Sequence, residues 1–90
     1  MRALMATPIT IKLLYFAALR DLAGCAEETC TLPAEVRDVA ALRRWMDAHH
    51  KALAGRLLSV RFAVDETFAE DGDALAEGAV VALIPPVAGG

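Results

Sequence analysis

The residues best suited to chemistry lie at the carboxyl terminus, where the chain ends Pro-Pro-Val-Ala-Gly-Gly at 85–90. A terminal Gly-Gly pair arises by chance in about 0.5 % of chains, because glycine averages about 7 % of residues. Two prolines project a chain in an extended form, and glycines present no side chain to a narrow cleft. The segment therefore predicts a tail that places its terminal carboxylate in another protein's active site.

Other chemistry-bearing side chains are weaker candidates. Cys25 and Cys30 could hold zinc only by recruiting His49 and His50. A Cys–His nucleophile lacks an evident third group to orient the base. The Asp-Gly-Asp segment at 71–73 lacks the later ligands of a calcium loop. We interpret the cysteines as free thiols and predict no metal site.

Composition limits the class of protein. A chain of 90 residues suits one domain. Its net charge is −3 and its longest basic run is Arg43-Arg44, which we interpret as a solvated helix face, so nucleic-acid binding is disfavoured. No stretch of 18 apolar residues predicts a membrane span, and no secretory signal is recognised. Two cysteines favour a reducing, cytoplasmic location.

The first half of the chain predicts a β-hairpin. Met1–Pro8 has no periodicity and is predicted to be a flexible extension before a domain at 9–84. Ile9–Ala17 alternates apolar residues and is rich in β-branched and aromatic types, which predicts a strand. Ala18–Gly24 is interpreted as a connection, and Cys25–Leu32 as a second strand that pairs with the first.

The second half predicts one helix and three strands. Asp38 is a candidate N-cap for a helix at Val39–His50, whose apolar residues recur at helical spacing. Ser59–Asp65 alternates as a strand, and after an Asp-Glu turn Thr67–Ala69 is a short return strand. Ala79–Ile84 is almost continuously apolar, which predicts a central strand of the sheet.

One helix of this length covers only one face of the predicted sheet. Phe16 on the first strand and Ile84 on the last then lie on the uncovered face. An exposed apolar patch of this kind indicates a partner surface. Lys12 and Arg20 are candidate basic residues at its rim.

Four segments resemble a known family. They are Tyr-Phe-Ala-Ala-Leu-Arg-Asp-Leu-Ala-Gly at 15–24, Val-Ala-Ala-Leu-Arg-Arg-Trp-Met at 39–46, Ala-Val-Asp-Glu-Thr at 63–67 and the terminal hexapeptide. Together they resemble the small subunit of molybdopterin synthase, a family of ubiquitin-like sulfur carriers. The resemblance implies an α+β fold of the β-grasp type, with a mixed sheet and one main helix across one face.

The same resemblance implies a mechanism. An E1-like adenylating enzyme uses ATP to adenylate the Gly90 carboxylate, and a sulfur donor displaces AMP to leave a thiocarboxylate. The tail then enters the large subunit of the synthase, where its sulfur passes to cyclic pyranopterin monophosphate. Catalytic side chains belong to the partners, so Gly89 and Gly90 are the functional site of this chain. It is expected to bind no cofactor stably and to form a heterotetramer with the large subunit.

The resemblance further implies an apolar docking patch that continues into the root of the tail: Phe16, Phe68, Ile84, Pro85, Pro86 and Val87. The family usually has Asn where Asp65 stands, and Phe is common at the position of Ile84. Its Asp-Gly-Asp before the last strand aligns with Glu-Gly-Ala at 77–79. These departures bear on affinity and on the choice of partner.

Three alternatives remain open from the sequence. A sister carrier would serve thiamine or another thiolated product. A ubiquitin-like modifier would be joined through Gly90 to lysines of target proteins. A non-covalent binding module would leave the Gly-Gly pair inert.

Overall fold

The computed structural model describes residues 7–86, so residues 1–6 of the predicted extension and 87–90 of the tail lie outside it. The elements in chain order are β1 (Ile9–Tyr15), α1 (Ala17–Ala23), β2 (Glu27–Leu32), α2 (Val39–His49), a 3-10 turn (Lys51–Leu53), β3 (Arg61–Val64), β4 (Thr67–Ala69) and β5 (Val80–Ile84). Every predicted strand is present, and β4 has the predicted bounds. The other four are shorter than predicted at one or both ends.

The five strands form one mixed sheet in the order β2-β1-β5-β3-β4. The β1–β2 hairpin is antiparallel, as are the pairs that β3 makes with β4 and β5. The two strands farthest apart in sequence, β1 and β5, pair in parallel at the centre. This arrangement, with α2 packed across one face, confirms the β-grasp fold and the central position of the last strand.

The segment after β1 corrects the sequence prediction. Instead of a strand to Ala17 followed by a connection at Ala18–Gly24, β1 ends at Tyr15 and the next seven residues form α1. Its alanine, leucine and arginine residues favour a helix, and Leu19 is buried in the core. Gly24 ends the helix with a φ of 81°, a left-handed conformation that glycine adopts without steric cost.

Helix α2 begins and packs as its sequence predicts. The Oδ1 atom of Asp38 accepts a hydrogen bond from the N–H of Ala41 at 2.8 Å. Val39, Leu42 and Met46 recur on one face, and all three are fully buried. Neither this helix nor α1 has the length and apolar run needed to cross a membrane, within residues 7–86. Because its apolar face is buried, α2 covers the inner face of the sheet.

The core lies between α2 and the inner face of the sheet. Its largest side chains share near-zero exposure: Ile11, Leu13, Tyr15, Leu32, Leu42, Met46, Leu53, Leu57, Phe62 and Leu83. The outer face has no helix over it in the described residues, and Phe16 and Phe68 are 44 % and 54 % exposed there. The predicted one-sided coverage of the sheet is confirmed.

Arg43 corrects a second expectation. Its guanidinium does not lie on a solvated face but donates hydrogen bonds to the carbonyl oxygens of Leu57 and Val60, the latter at 2.8 Å. The same group lies 4.7 Å from the ring centroid of Phe62. Arg43 thereby joins α2 to the segment that enters β3, whereas its neighbour Arg44 is exposed.

Candidate functional site

The outer face of the sheet forms an open groove of about 570 Å³. It is lined by residues of β1, β3, β4, β5 and the connecting turns: Leu14, Phe16, Ala63, Asp65, Glu66, Phe68, Val80, Ala82 and Ile84. The structure therefore brings together the three residues that the resemblance implied as docking anchors. Their role in docking stays a prediction.

Phe16 owes its exposure to an abrupt change of backbone direction. It caps α1 with an extended backbone, φ −119° and ψ 151°, so it continues the outward alternation of Leu14. Ala17 follows with a φ of 53°, and the helix starts at that residue. The ring of Phe16 is consequently exposed and lines the groove.

Phe68 and Ile84 are placed by strand register. Phe68 of β4 lies opposite Ala63 of β3, and the small alanine side chain leaves the aromatic ring standing above the sheet. Ile84 lies opposite Arg61 at the end of β5, and it is half-buried. The register thus sets one anchor on an edge strand and another at the root of the tail.

The β3–β4 turn is fixed by Asp65. Asp65 and Glu66 have φ values of 51° and 73°, the positive pair that a tight type I′ hairpin requires. The N–H of Asp65 donates to the carbonyl of Val80 at 2.8 Å, and the Oδ1 atom of Asp65 accepts from the N–H of Val80 at 3.0 Å. An asparagine oxygen could accept the same bond, so the Asp-for-Asn departure leaves this contact available.

The root of the tail follows directly from the central strand. Pro85, half-buried, and Pro86, exposed, continue from Ile84. Strand β5 is hydrogen-bonded to β1 on one side and β3 on the other, so this exit point is held from both sides. Val87, Gly89 and Gly90 lie outside the described residues, and the path of the tail to its carboxylate remains a prediction.

Arg61 is not part of the groove lining but borders it beside Phe68 and Ile84, and the sequence interpretation did not single it out. Its guanidinium carbon lies 4.0 Å from the ring centroid of Phe68, within cation–π range. Lys12 also borders the groove, because it lies beside Val80 in the register of β1 and β5, but its ammonium group pairs with Glu27, N to O 3.7 Å. Arg20 is not part of the lining. The alternation of β3 already places Arg61 on the outer face. Because a two-residue turn connects β3 to β4, the sequence could also have predicted that Arg61 and Phe68 are diagonal neighbours on that face.

A polar cluster on the other side of the sheet is structural. The hydroxyl of Tyr15 donates to the Oε1 atom of Glu28 at 2.6 Å, and the Nε2 atom of His50 lies 3.0 Å from the same oxygen. Burial and this hydrogen bond raise the pKa of Tyr15 far above its ordinary value. The bond from Tyr15, followed by that from His50, lowers the pKa of Glu28. The cluster joins β1 and β2 to the end of α2, and none of its members lines the groove.

The remaining candidate residues do not assemble into a metal or nucleophile site within residues 7–86. Cys25 and Cys30 are free and half-buried, and burial raises the pKa of the Cys30 thiol, which opposes formation of a reactive thiolate. His49 stacks on Trp45 at a centroid distance of 5.0 Å, and His50 bonds to Glu28. No group of three or more metal-ligating side chains is found in this part of the chain.

The chain has a β-grasp domain, an open apolar face and a tail that leaves from a central strand. These features define it as a ubiquitin-like protein. The sequence model of the ThiS family matches residues 13–90, and the chain belongs to that family. The chain is 34 % identical over 85 residues to the molybdopterin synthase sulfur carrier subunit of Homo sapiens, covering 89 % of this chain and 93 % of that one. The corresponding subunit of Escherichia coli K12 is 39 % identical over 85 residues, with 89 % and 99 % covered.

Solved structures agree with this assignment. A putative molybdopterin converting factor subunit 1 from Pyrococcus furiosus has a TM-score of 0.75 at 30 % identity, covering 88 % of this chain and 99 % of its own. SAMP1 from Haloferax volcanii has a TM-score of 0.71 at 26 % identity, covering 90 % and 99 %. A complex of molybdopterin-converting factor subunits 1 and 2 from Helicobacter pylori contains a similar chain, with a TM-score of 0.64 and coverage of 91 % and 100 %. At 19 % identity, that likeness shows the fold alone.

Proposed function

We propose that this protein is the sulfur carrier of molybdopterin synthesis, with the sulfur held as a thiocarboxylate at Gly90. The observation that carries the proposal is the position of the open apolar groove at the root of the Pro-Pro tail. A partner that covers Phe16, Phe68 and Ile84 also meets the strand from which the tail departs. The relatives named as molybdopterin synthase sulfur carrier subunits support the choice of pathway.

In this proposal the chain supplies position and sulfur, and its partners supply catalysis. An adenylating enzyme consumes ATP, forms an acyl-adenylate at Gly90 and releases pyrophosphate. A donor that delivers hydrosulfide attacks the carbonyl carbon, AMP leaves with the electron pair of the broken carbon–oxygen bond, and the sulfur loses its proton to water, which leaves a thiocarboxylate. The large subunit then binds the groove and receives the tail. The sulfur then bonds to cyclic pyranopterin monophosphate and displaces an oxygen substituent from it. Water cleaves the bond between that sulfur and the carbonyl carbon, which returns Gly90 to a carboxylate that can be charged again.

Deletion of Gly90 tests the reacting group. The deletion removes no core side chain, so we expect an unchanged melting temperature and complete loss of sulfur transfer in an assay with the adenylating enzyme, the sulfur donor and the large subunit. Intact mass should show one oxygen-to-sulfur exchange on the full chain and none on the shortened one. Sulfur transfer by the shortened chain would refute the proposal.

A second candidate is a protein modifier joined through Gly90 to lysines of other proteins. The likeness to SAMP1 of Haloferax volcanii, whose full name is small archaeal modifier protein 1, favours keeping it. Mass spectrometry of proteins recovered with the tagged chain separates the two functions. Branched peptides that join the Gly-Gly end to a lysine side chain indicate a modifier, and an unbranched thiocarboxylate indicates a carrier. A carrier for thiamine or another thiolated product would show the thiocarboxylate but would not support molybdopterin formation with the large subunit.

A further inference from the structure

Charged side chains of opposite sign stand at the two ends of the groove, Glu66 in its lining and Arg61 at its border. Arg61 stands at the end where β5 passes into the tail, opposite Ile84 in the strand register. Asp65 and Glu66 form the turn at the other end. Arg61 and Asp65 are four residues apart on an extended strand, or about 13 Å at the usual rise per residue. Between them the groove is lined by apolar side chains such as Val80 and Ala82.

Arg61 and Glu66 are available to a partner. Both are exposed. Within residues 7–86 neither belongs to an ion pair, whereas Lys12 pairs with Glu27 and Arg43 with Asp71. The guanidinium carbon of Arg61 lies 4.0 Å from the ring centroid of Phe68, so the positive charge stands beside a side chain that lines the groove. Asp65 differs from Glu66 because its carboxylate is already bonded to the backbone of β5.

We propose that the groove recognises its partner by polarity as well as by apolar contact. The partner surface that fits it is apolar at its centre, presents a carboxylate to Arg61 and presents a cationic side chain to Glu66. A carboxylate accepts two parallel hydrogen bonds from a guanidinium, and the apolar walls on either side strengthen both pairs by excluding water. This inference rests on the proposed function, and it identifies the occupant as the large subunit that receives the tail.

The polarity gives the bound partner a direction. An apolar groove alone would accept a surface in either of two opposed orientations with similar contact. With Arg61 beside the root of the tail and Glu66 at the far end, the reversed orientation sets like charges against each other at both ends. Such juxtapositions disfavour incorrect docking. The partner's cleft is thereby held on the side to which Pro85 and Pro86 lead.

Charge reversal tests the inference, with affinity for the large subunit and sulfur transfer as the measured quantities. Arg61→Glu and Glu66→Lys should each weaken binding at least about tenfold, as expected when one member of a charged interface pair is reversed. The double variant has the net charge of the wild type but the inverted polarity. It should lose sulfur transfer, because both charged pairs repel in the wild-type orientation and the reversed orientation, in which they attract, places the tail on the wrong side of the partner's cleft. Arg56→Glu, at an exposed position that does not line the groove, matches the charge change of Arg61→Glu and should bind within about twofold of the wild type. Melting temperatures verify that each variant is folded.

The outcomes separate this inference from the function on which it rests. If each single reversal binds within about twofold of the wild type, or the double variant transfers sulfur at the wild-type rate, while Phe68→Ala weakens binding, the groove docks the partner but its polarity does not matter, and the inference is refuted alone. If the wild-type chain does not bind the large subunit, the proposed function fails and the inference fails with it. Loss of affinity by Arg56→Glu equal to that of Arg61→Glu would show a general charge effect and would also refute the inference.

Discussion

Replacement of Phe68 by alanine separates a docking residue from a core residue. Phe68 of β4 is 54 % exposed and lines the groove. Phe62 of β3 faces the opposite side of the sheet and is 1 % exposed. Because both are phenylalanines in the same β-hairpin, Phe62→Ala is a matched control for the loss of the same atoms from the core.

The two substitutions should have opposite effects on stability and binding. Removing a buried phenylalanine costs about 3–5 kcal/mol, so Phe62→Ala should lower the melting temperature by at least about 12 °C or unfold the chain. Phe68→Ala loses its stacking on Arg61, about 0.5–1 kcal/mol, and should lower the melting temperature by less than about 8 °C. A docking anchor is worth about 2 kcal/mol or more, so affinity for the large subunit should fall at least about tenfold.

Thermal unfolding and titration calorimetry on the same preparations measure both quantities. The titration is made at a temperature at which both variants are folded. A Phe68→Ala chain that melts like Phe62→Ala, or that binds the large subunit as tightly as the wild type, would refute the assignment of this ring to a docking surface.

Three further predictions concern the fold that supports the groove. Glu28→Gln should reduce the loss of stability in acid. The bond from Tyr15 holds the pKa of Glu28 below its ordinary 4.5, so the stability that this carboxylate contributes above pH 4.5 is lost as the pH falls through the lower, folded pKa. The same pH dependence of urea unfolding in both chains would contradict this. Arg43→Met should lower the free energy of unfolding by about 2–3 kcal/mol, because two carbonyl oxygens lose their charged donor. Arg44→Met should change it by less than about 0.5 kcal/mol. Equal effects of the two substitutions on urea unfolding would be inconsistent with the structure. Asp38→Ala should cost about 1 kcal/mol through loss of the α2 cap, and an unchanged urea midpoint would argue against that role.

Local patterns in the sequence predicted most of the sheet. The alternation in β1 assigns Ile11, Leu13 and Tyr15 to the core, and the structure buries all three. The Asp-Glu pair at 65–66 predicted a turn because turn residues separate two strand-like segments. The apolar run at Ala79–Ile84 predicted a central strand, because a strand with a neighbour on each side is less exposed to solvent than an edge strand. Each of these inferences depends on residues only a few positions apart.

The predictions that failed depended on short or distant features. Helix α1 has seven residues, too few for an apolar repeat to distinguish it from a loop, although its composition favours a helix. The environment of Arg43 depends on Leu57 and Val60, which are more than a dozen residues away in the sequence. The local pattern of α2 therefore could not distinguish Arg43 from its exposed neighbour Arg44. Arg61 is a different case, because the alternation of β3 and the two-residue turn together place it diagonally across from Phe68.

The attachment of the tail to β5 has a mechanical consequence. A force applied at Pro85 acts along the axis of β5, and that strand is clamped by ladders to β1 and β3 on its two sides. The load is therefore shared in shear by both ladders, whose hydrogen bonds resist together. An edge strand such as β4, with three residues and one neighbour, could instead be peeled away bond by bond. The domain is thus most resistant to unfolding along the direction in which the chain leaves β5 at Pro85.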